Sequence, residues 1–197
     1  MINIRNICKD VSMSEEYVRL SRETVYKGHI IDFCEDTVKL PNGKTVKWDF
    51  IAHKGAAAIL PVMEDGRILL VRQFRNAINR MTWEIPAGGR NYLEDGSLEP
   101  YIDCAHRELE EETGYKTEKS NLEFLVSLKM AVAYCEEQID VFIADQLCAS
   151  KQNLDEDELI DVKAFTLEEI QTMIFEGTMQ DTKTISAVMA YKAKKNL

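Results

Sequence analysis

The sequence predicts a mixed α/β fold with a small N-terminal β subdomain over about residues 1–50. Three observations predict it. Glu23 to Phe50 is strand-like, Gly55 to Met63 is a continuous apolar run that reads as a buried strand, and helix-start signals appear only later, near Glu99 and Thr166. The order is strands, helix, strands, helices. At 197 residues, 45% hydrophobic and 29% charged, the chain has room for one core-forming domain and a small appendage.

Each element has a local reason. Thr37–Leu40 and Thr45–Trp48 flank Pro41-Asn42-Gly43-Lys44, and Asn-Gly between such runs signals a hairpin. Asp65-Gly66 turns the chain into a strand over Arg67–Arg75. A short strand over Met81–Ile85 is closed by Pro86-Ala87-Gly88-Gly89. The first long helix begins near Glu99, with Pro100 in its first turn and Gly114 just past its end. Ile102, Ala105 and Leu109 give it an apolar face. Strands follow at Leu122–Leu128 and Gln138–Ile143. Thr166-Leu167-Glu168-Glu169 is a capping box opening a helix that ends near Gly177, and a last helix runs from about Asp181 to Lys194. The first fifteen residues are polar and read as loosely ordered.

Charge and composition narrow the function. The net charge of −10 argues against a nucleic-acid or anionic-membrane partner. No apolar run reaches the ~18 residues of a membrane span, and Met1–Val18 lacks the apolar core of a signal peptide. Five scattered cysteines (Cys8, Cys34, Cys104, Cys135, Cys148) fit reduced thiols in a cytoplasmic protein. Three histidines without ligand spacing argue against zinc. Carboxylates would have to hold any metal.

The informative segment is Arg107-Glu108-Leu109-Glu110-Glu111-Glu112-Thr113-Gly114. Glu108, Glu111 and Glu112 stand at i, i+3 and i+4 and share one helix face. They also sit at the negative end of the helix dipole, where each carboxylate costs ~0.3–1 kcal/mol. Arg107 can pair with Glu111, and Mg²⁺ or Mn²⁺ would neutralise the others, because hard cations favour oxygen ligands. Taken alone, the cluster is equally a solvated acidic face.

Glu99, seven residues, then Arg107-Glu108-Leu109-x-Glu111-Glu112-x-Gly114-Tyr115 resembles the core of the Nudix box at every fixed position from Glu99 onward. The box's opening glycine falls on Leu93 here, and the nearest glycines are Gly88 and Gly89. That looks like a four- or five-residue insertion within Arg90–Ser97, altering the rim of the site and leaving the glutamates intact. Leu40–Lys44, Val71–Arg75, Glu84–Gly88 and Leu154-Asp155-Glu156-Asp157-Glu158 are similar to the ADP-ribose pyrophosphatase branch of Nudix hydrolases.

The resemblance implies an α/β/α sandwich around a mixed β-sheet, with residues 1–50 as an antiparallel β subdomain exchanged in a homodimer and residues 51–197 as the hydrolase domain. It implies Mg²⁺ or Mn²⁺ on Glu108, Glu111, Glu112 and the backbone carbonyl of Ala87, with Arg107 orienting the glutamates. It places a water-activating or water-positioning glutamate in Tyr134-Cys135-Glu136-Glu137-Gln138: Glu137 best, Glu136 next. Arg72 and Arg75 would touch substrate, Glu84 would pair with an arginine or meet substrate, and Trp48 or Phe33 would stack on a base or pack. The substrate implied is a nucleoside diphosphate sugar, ADP-ribose first, cleaved to AMP and ribose 5-phosphate. Val132 stands where ADP-ribose-specific members carry a proline, which leaves GDP-mannose or another nucleotide sugar as the alternative. The non-enzyme alternative is a nucleotide-binding sensor on the same fold, against which the intact glutamates count.

Overall fold

The computed structural model describes residues 16–154 and 159–197. The first fifteen residues and the 155–158 part of the Leu154–Glu158 match lie outside them. β1 (Val18–Lys27), β2 (Asp32–Lys39) and β3 (Thr45–Ala52) form an antiparallel sheet in the order β1-β2-β3. β1 begins five residues before Glu23, where the strand-like pattern starts. The Asn42-Gly43 turn forms as its chemistry requires: Gly43 sits at φ 83°, and Lys39 pairs with Thr45 across it. Inside this sheet Arg22 grips Asp36 at 2.7 and 2.9 Å and lies 3.6 Å over the Phe50 ring.

β4 (Ala56–Pro61) is buried at every position. Successive strand residues face opposite ways, so an unbroken apolar run means a strand covered on both sides. Ala56, Ala58 and Leu60 join one apolar cluster, and Ala57 and Ile59 join another. The next elements are β5 (Ile68–Arg75), β6 (Arg80–Glu84), β7 (Ala87–Gly89) and α1 (Tyr101–Thr113). After them come β8 (Tyr115–Lys116), β9 (Leu122–Lys129), β10 (Gln138–Ala144), β11 (Cys148–Ala149), β12 (Asp161–Phe165), α2 (Leu167–Phe175) and α3 (Thr182–Lys195).

The central sheet runs β7-β4-β10-β9, with β10 parallel to β4 and the outer pairs antiparallel. A second, antiparallel sheet runs β12-β5-β6. α1 closes one cluster through Cys104, Ala105 and Leu109. α2 and α3 close the other through Ile170, Ala187 and Val188, with Ile68 and Leu70 of β5. The result is helix, mixed sheet, helix: the layering expected. Each fully buried Leu or Ile of these clusters contributes about 1.5–3 kcal/mol.

Both C-terminal helices start as their sequences dictate. Thr166 and Glu169 cap each other reciprocally at 3.2 and 2.8 Å, and Asp181 accepts from the Thr184 N–H at 2.9 Å. Four strands were not legible, among them the two-residue pair β8 and β11. β7 covers Ala87–Gly89, which read as a closing turn, and β12 is short and half-exposed. Each exists because an edge of another strand accepts it.

The chain divides into two units. One comprises the described residues up to His53 together with Ala133–Cys135; the other comprises Lys54–Val132 and the described part of Glu136–Leu197. Among the described residues no helix is long and apolar enough to cross a membrane.

Candidate active site

The last turns of α1 carry the acidic cluster. Leu109 and Ala105, fully buried, fix which face of the helix looks into the core. That choice turns Glu108, Glu111 and Glu112 toward β7. Glu108 and Glu112 are nonetheless 8% and 3% exposed. Carboxylates so buried need partners. Glu112 Oε2 accepts the Ala87 N–H at 3.0 Å, tying the helix to β7.

Arg107 is the counter-charge. Its Nη1 donates to Glu108 Oε1 at 2.7 Å and to Glu111 Oε2 at 2.6 Å. Its Nε and Nη2 fork onto Glu99 at 3.2 and 3.1 Å, and Nη2 also donates to the Gly89 carbonyl at 3.2 Å. Burial acts to lower the arginine's pKa, but the bonds to Glu99 and Glu111 and the Glu108 charge outweigh it and raise it. Glu99 is held below the ordinary carboxylate value: burial opposes this, but the Arg107 bond and the Asn91 N–H prevail. Glu99 therefore acts as the anchor that aims Arg107 at the other glutamates.

Gly88 has a steric reason. A Cβ placed there would stand 1.9 Å from Glu108 Oε1 and 2.1 Å from its Cδ. The Glu108 carboxylate occupies the space that a side chain would take. Beneath β7 the Cys104 thiol donates to the carbonyls of Gly88 and Gly89 at 3.4 and 3.5 Å. Burial pushes that thiol up to about 12, so it stays protonated and remains a donor. The insertion after Gly89 is a small hairpin: Tyr92 bridges Leu98, and Leu93 donates to Ser97 at 2.8 Å.

These residues open on a cleft of about 430 Å³. Gly88, Gly89, Arg107, Glu108 and Glu111 line it, and Lys54, Asn91 and Asn153 complete the lining. The acidic donor set consists of hard oxygens, the ligand type that a small divalent cation prefers. The glycine cradle leaves the Glu108 carboxylate unhindered by any neighbouring side chain at that position. The donor chemistry thus fits a divalent cation. Among the described residues no three His, Cys, Asp or Glu groups converge as ligands. Glu108 and Glu111 are instead bridged by a single nitrogen of Arg107.

The other residues singled out in the sequence lie elsewhere. Arg75 and Glu84 pair with each other at 2.9 and 2.7 Å across β5 and β6. Glu84 is 2% exposed and also accepts from Lys183 and from Thr82. Burial would raise its pKa, but Arg75 and Lys183 together lower it to about 2. Arg72 is 45% exposed and reaches Asp161 at 3.9 Å. Trp48 and Phe33 belong to the first unit; Trp48 is 48% exposed and stacks on Tyr17 at 6.2 Å between ring centroids. Glu136 is exposed and Glu137 half-buried in the β9–β10 loop, where the Glu137 carbonyl accepts from Met130 at 3.3 Å. None of these lines the cleft. Lys54, Asn91 and Asn153, which do, carried no local signal: each is a lone polar residue outside the motif. Lys183 was equally silent, being 99 residues from the Glu84 it meets.

Comparison with known proteins matches residues 52–187 to the NUDIX domain. The chain is 37% identical to an ADP-ribose pyrophosphatase of Bacillus subtilis, over 93% of this chain and 97% of that protein. It is also 37% identical to a methanol dehydrogenase activator of Bacillus methanolicus, over 86% of this chain and 89% of that one. The crystal structure of an ADP compounds hydrolase superposes with a TM-score of 0.76 at 20% identity, covering 91% and 94% of the two chains, a likeness of fold.

Proposed function

The chain belongs to the NUDIX family, and from that premise we propose that it hydrolyses the diphosphate bond of a nucleoside diphosphate sugar, with ADP-ribose as the first substrate. The observation that carries this reading is the end of α1: three glutamates on one face, one seated in the space of a missing Cβ and all within the reach of a glycine-rich strand. Water attacks one phosphorus of the diphosphate, the P–O bond to the other phosphate breaks, and AMP and ribose 5-phosphate leave.

Glu108, Glu111 and Glu112, with the Ala87 carbonyl, would hold the divalent cation, Mg²⁺ or Mn²⁺. When bound, it supplies charge neutralisation for the diphosphate and lowers the pKa of coordinated water. Arg107 orients Glu108 and Glu111 through its Nη1, and Glu99 keeps Arg107 in place. Glu137, with Glu136 second, takes the proton from the attacking water; a positioned carboxylate contributes typically ~10²–10⁴-fold in such a role. Arg72, Arg75 and Trp48 are proposed to contact the remainder of the substrate, and Glu84 to hold Arg75 for that contact.

A homodimer through residues 16–53 fits the first unit's surface. β1 is exposed along nearly its whole length, and Tyr26, Ile30 and Val25 are 69%, 81% and 59% exposed. A three-stranded sheet with so much apolar surface suits a second copy. The test of the function is phosphate release from a nucleotide-sugar panel containing ADP-ribose and GDP-mannose, with Mg²⁺ and with EDTA. Metal-dependent turnover supports the reading, and absence of turnover of every member rejects it.

A further inference from the structure

The cleft has two cations in its lining, and their situations differ. Arg107 spends its donors on Glu99, Glu108, Glu111 and the Gly89 carbonyl, which leaves no N–H of its fork for a ligand. Lys54 has no ion pair among the described residues, although the protein carries a net charge of −10 and the cleft contains Glu108 and Glu111. Its backbone is fixed: Arg90 donates to the Lys54 carbonyl at 3.4 Å, and the Arg90 N–H donates to the Gly55 carbonyl at 3.2 Å. Arg90 itself lies 4.1 Å over the Tyr101 ring at the start of α1. From that fixed base the lysine stem reaches Gly89 of β7. Its Cε and Nζ lie 3.2 and 3.7 Å from where a Cβ on Gly89 would stand. The second glycine thus admits the lysine, as the first admits Glu108.

We propose that Lys54 is the residue of the cleft that grips a substrate phosphate directly. The assignment rests on the diphosphate-hydrolase reading of the same cleft and adds a binding residue to it. A lysine ammonium offers three rotatable donors on a flexible stem, which suits a phosphate whose position changes as its bond breaks. It supplies positive charge where the carboxylates would otherwise repel an anion. Because Arg107 is committed to the glutamates, removing Lys54 leaves the acidic cluster itself untouched.

The test compares Lys54→Ala and Lys54→Arg with the wild type on the best nucleotide sugar at saturating Mg²⁺. Mn²⁺ affinity is measured by calorimetry, and folding by circular dichroism. Lys54→Ala should raise KM about 10-fold with kcat within about 3-fold, the share of a charge-assisted hydrogen bond in a half-open cleft. Mn²⁺ affinity and the circular dichroism spectrum should not change. Lys54→Arg should recover most of the KM. Added salt should raise the wild-type KM and leave that of Lys54→Ala nearly flat. An unchanged KM in Lys54→Ala overturns the proposal. So does a kcat loss accompanied by weaker Mn²⁺ binding, since Lys54 would then serve the metal site. If the wild type turns over no nucleotide sugar, the hydrolase reading fails by itself. Inorganic pyrophosphate binding in the presence of Mn²⁺ then decides Lys54 separately: binding lost in Lys54→Ala upholds its phosphate role, and equal binding rejects it.

Discussion

Replacing Gly88 by alanine should separate the active site from the fold. Gly88 does not adopt a left-handed backbone, so the substitution adds no φ strain. The added Cβ instead meets Glu108 Oε1 at 1.9 Å, where ordinary contact begins at 3.4 Å. The carboxylate must retreat by about 1.5 Å, the difference between those distances. It is the far end of a flexible side chain, so it can swing. Its 2.7 Å bond to Arg107 is largely buried, and losing it costs about 1.5 kcal/mol, the low end for a charge-assisted bond, because Arg107 keeps its other partners. For a domain of this size that lowers Tm by roughly 3–6 °C.

The effect on chemistry should be far larger. A misplacement of about 1 Å in a catalytic array costs on the order of 10²-fold in rate. Gly88→Ala should therefore lose about 100-fold in kcat with Mg²⁺ and bind Mn²⁺ more weakly, while melting within a few degrees of the wild type. Turnover by the protein with ADP-ribose and a scanning melt measure both. A kcat within 3-fold of wild type would show that the Glu108 seat does not matter for the reaction. A Tm loss above 10 °C would show that the glycine serves β7 packing instead.

Two further outcomes follow from the same geometry. Glu112→Gln keeps an oxygen that can accept from the Ala87 N–H, so it should fold normally by circular dichroism yet lose at least about 100-fold in turnover, because a proposed metal ligand is gone; near-wild-type turnover would remove Glu112 from the proposed metal site. Glu84 gives a pH signature. Its pKa falls from 4.5 in the unfolded chain to about 2 when folded, so its stabilisation is present in full above about pH 4.5 and is lost as pH drops toward 2. At about 1.4 kcal/mol per pH unit this amounts to about 3 kcal/mol. Urea unfolding from pH 7 to pH 2.5 should show a flatter stability profile for Glu84→Gln than for wild type, and parallel profiles would show that the Arg75–Glu84–Lys183 cluster contributes no acid sensitivity.

Local patterns made much of the molecule legible. The Asn42-Gly43 hairpin, the doubly covered β4, the capping box at Thr166 and the turn residue Gly114 are encoded within a few residues of where they act. The three glutamates of α1 were legible for the same reason, since helical spacing alone puts Glu108, Glu111 and Glu112 on one face. The site roles assigned to Arg72, Glu136, Glu137 and Trp48 came from resemblance, and of these Arg72, Glu136 and Glu137, which share the cleft's unit, are not among the residues that line it.

What the sequence determined by itself was the set of segments and the chemistry they carry: an acidic helix end, a glycine pair and an ordered series of strands and helices. Only the tertiary structure decided which distant groups meet. It brought Lys183 to Glu84, and Lys54 and Asn91 to a cleft with Glu108 and Glu111. It also made Ala87–Gly89 a strand, by pairing it with β4. The physical reason is that periodicity and capping act over three or four residues, whereas these meetings are fixed by how buried faces stack. Gly88 shows both levels at once: a glycine is visible in the sequence, but the carboxylate that needs its missing Cβ comes from a helix twenty residues later and is seen only once α1 has packed against β7.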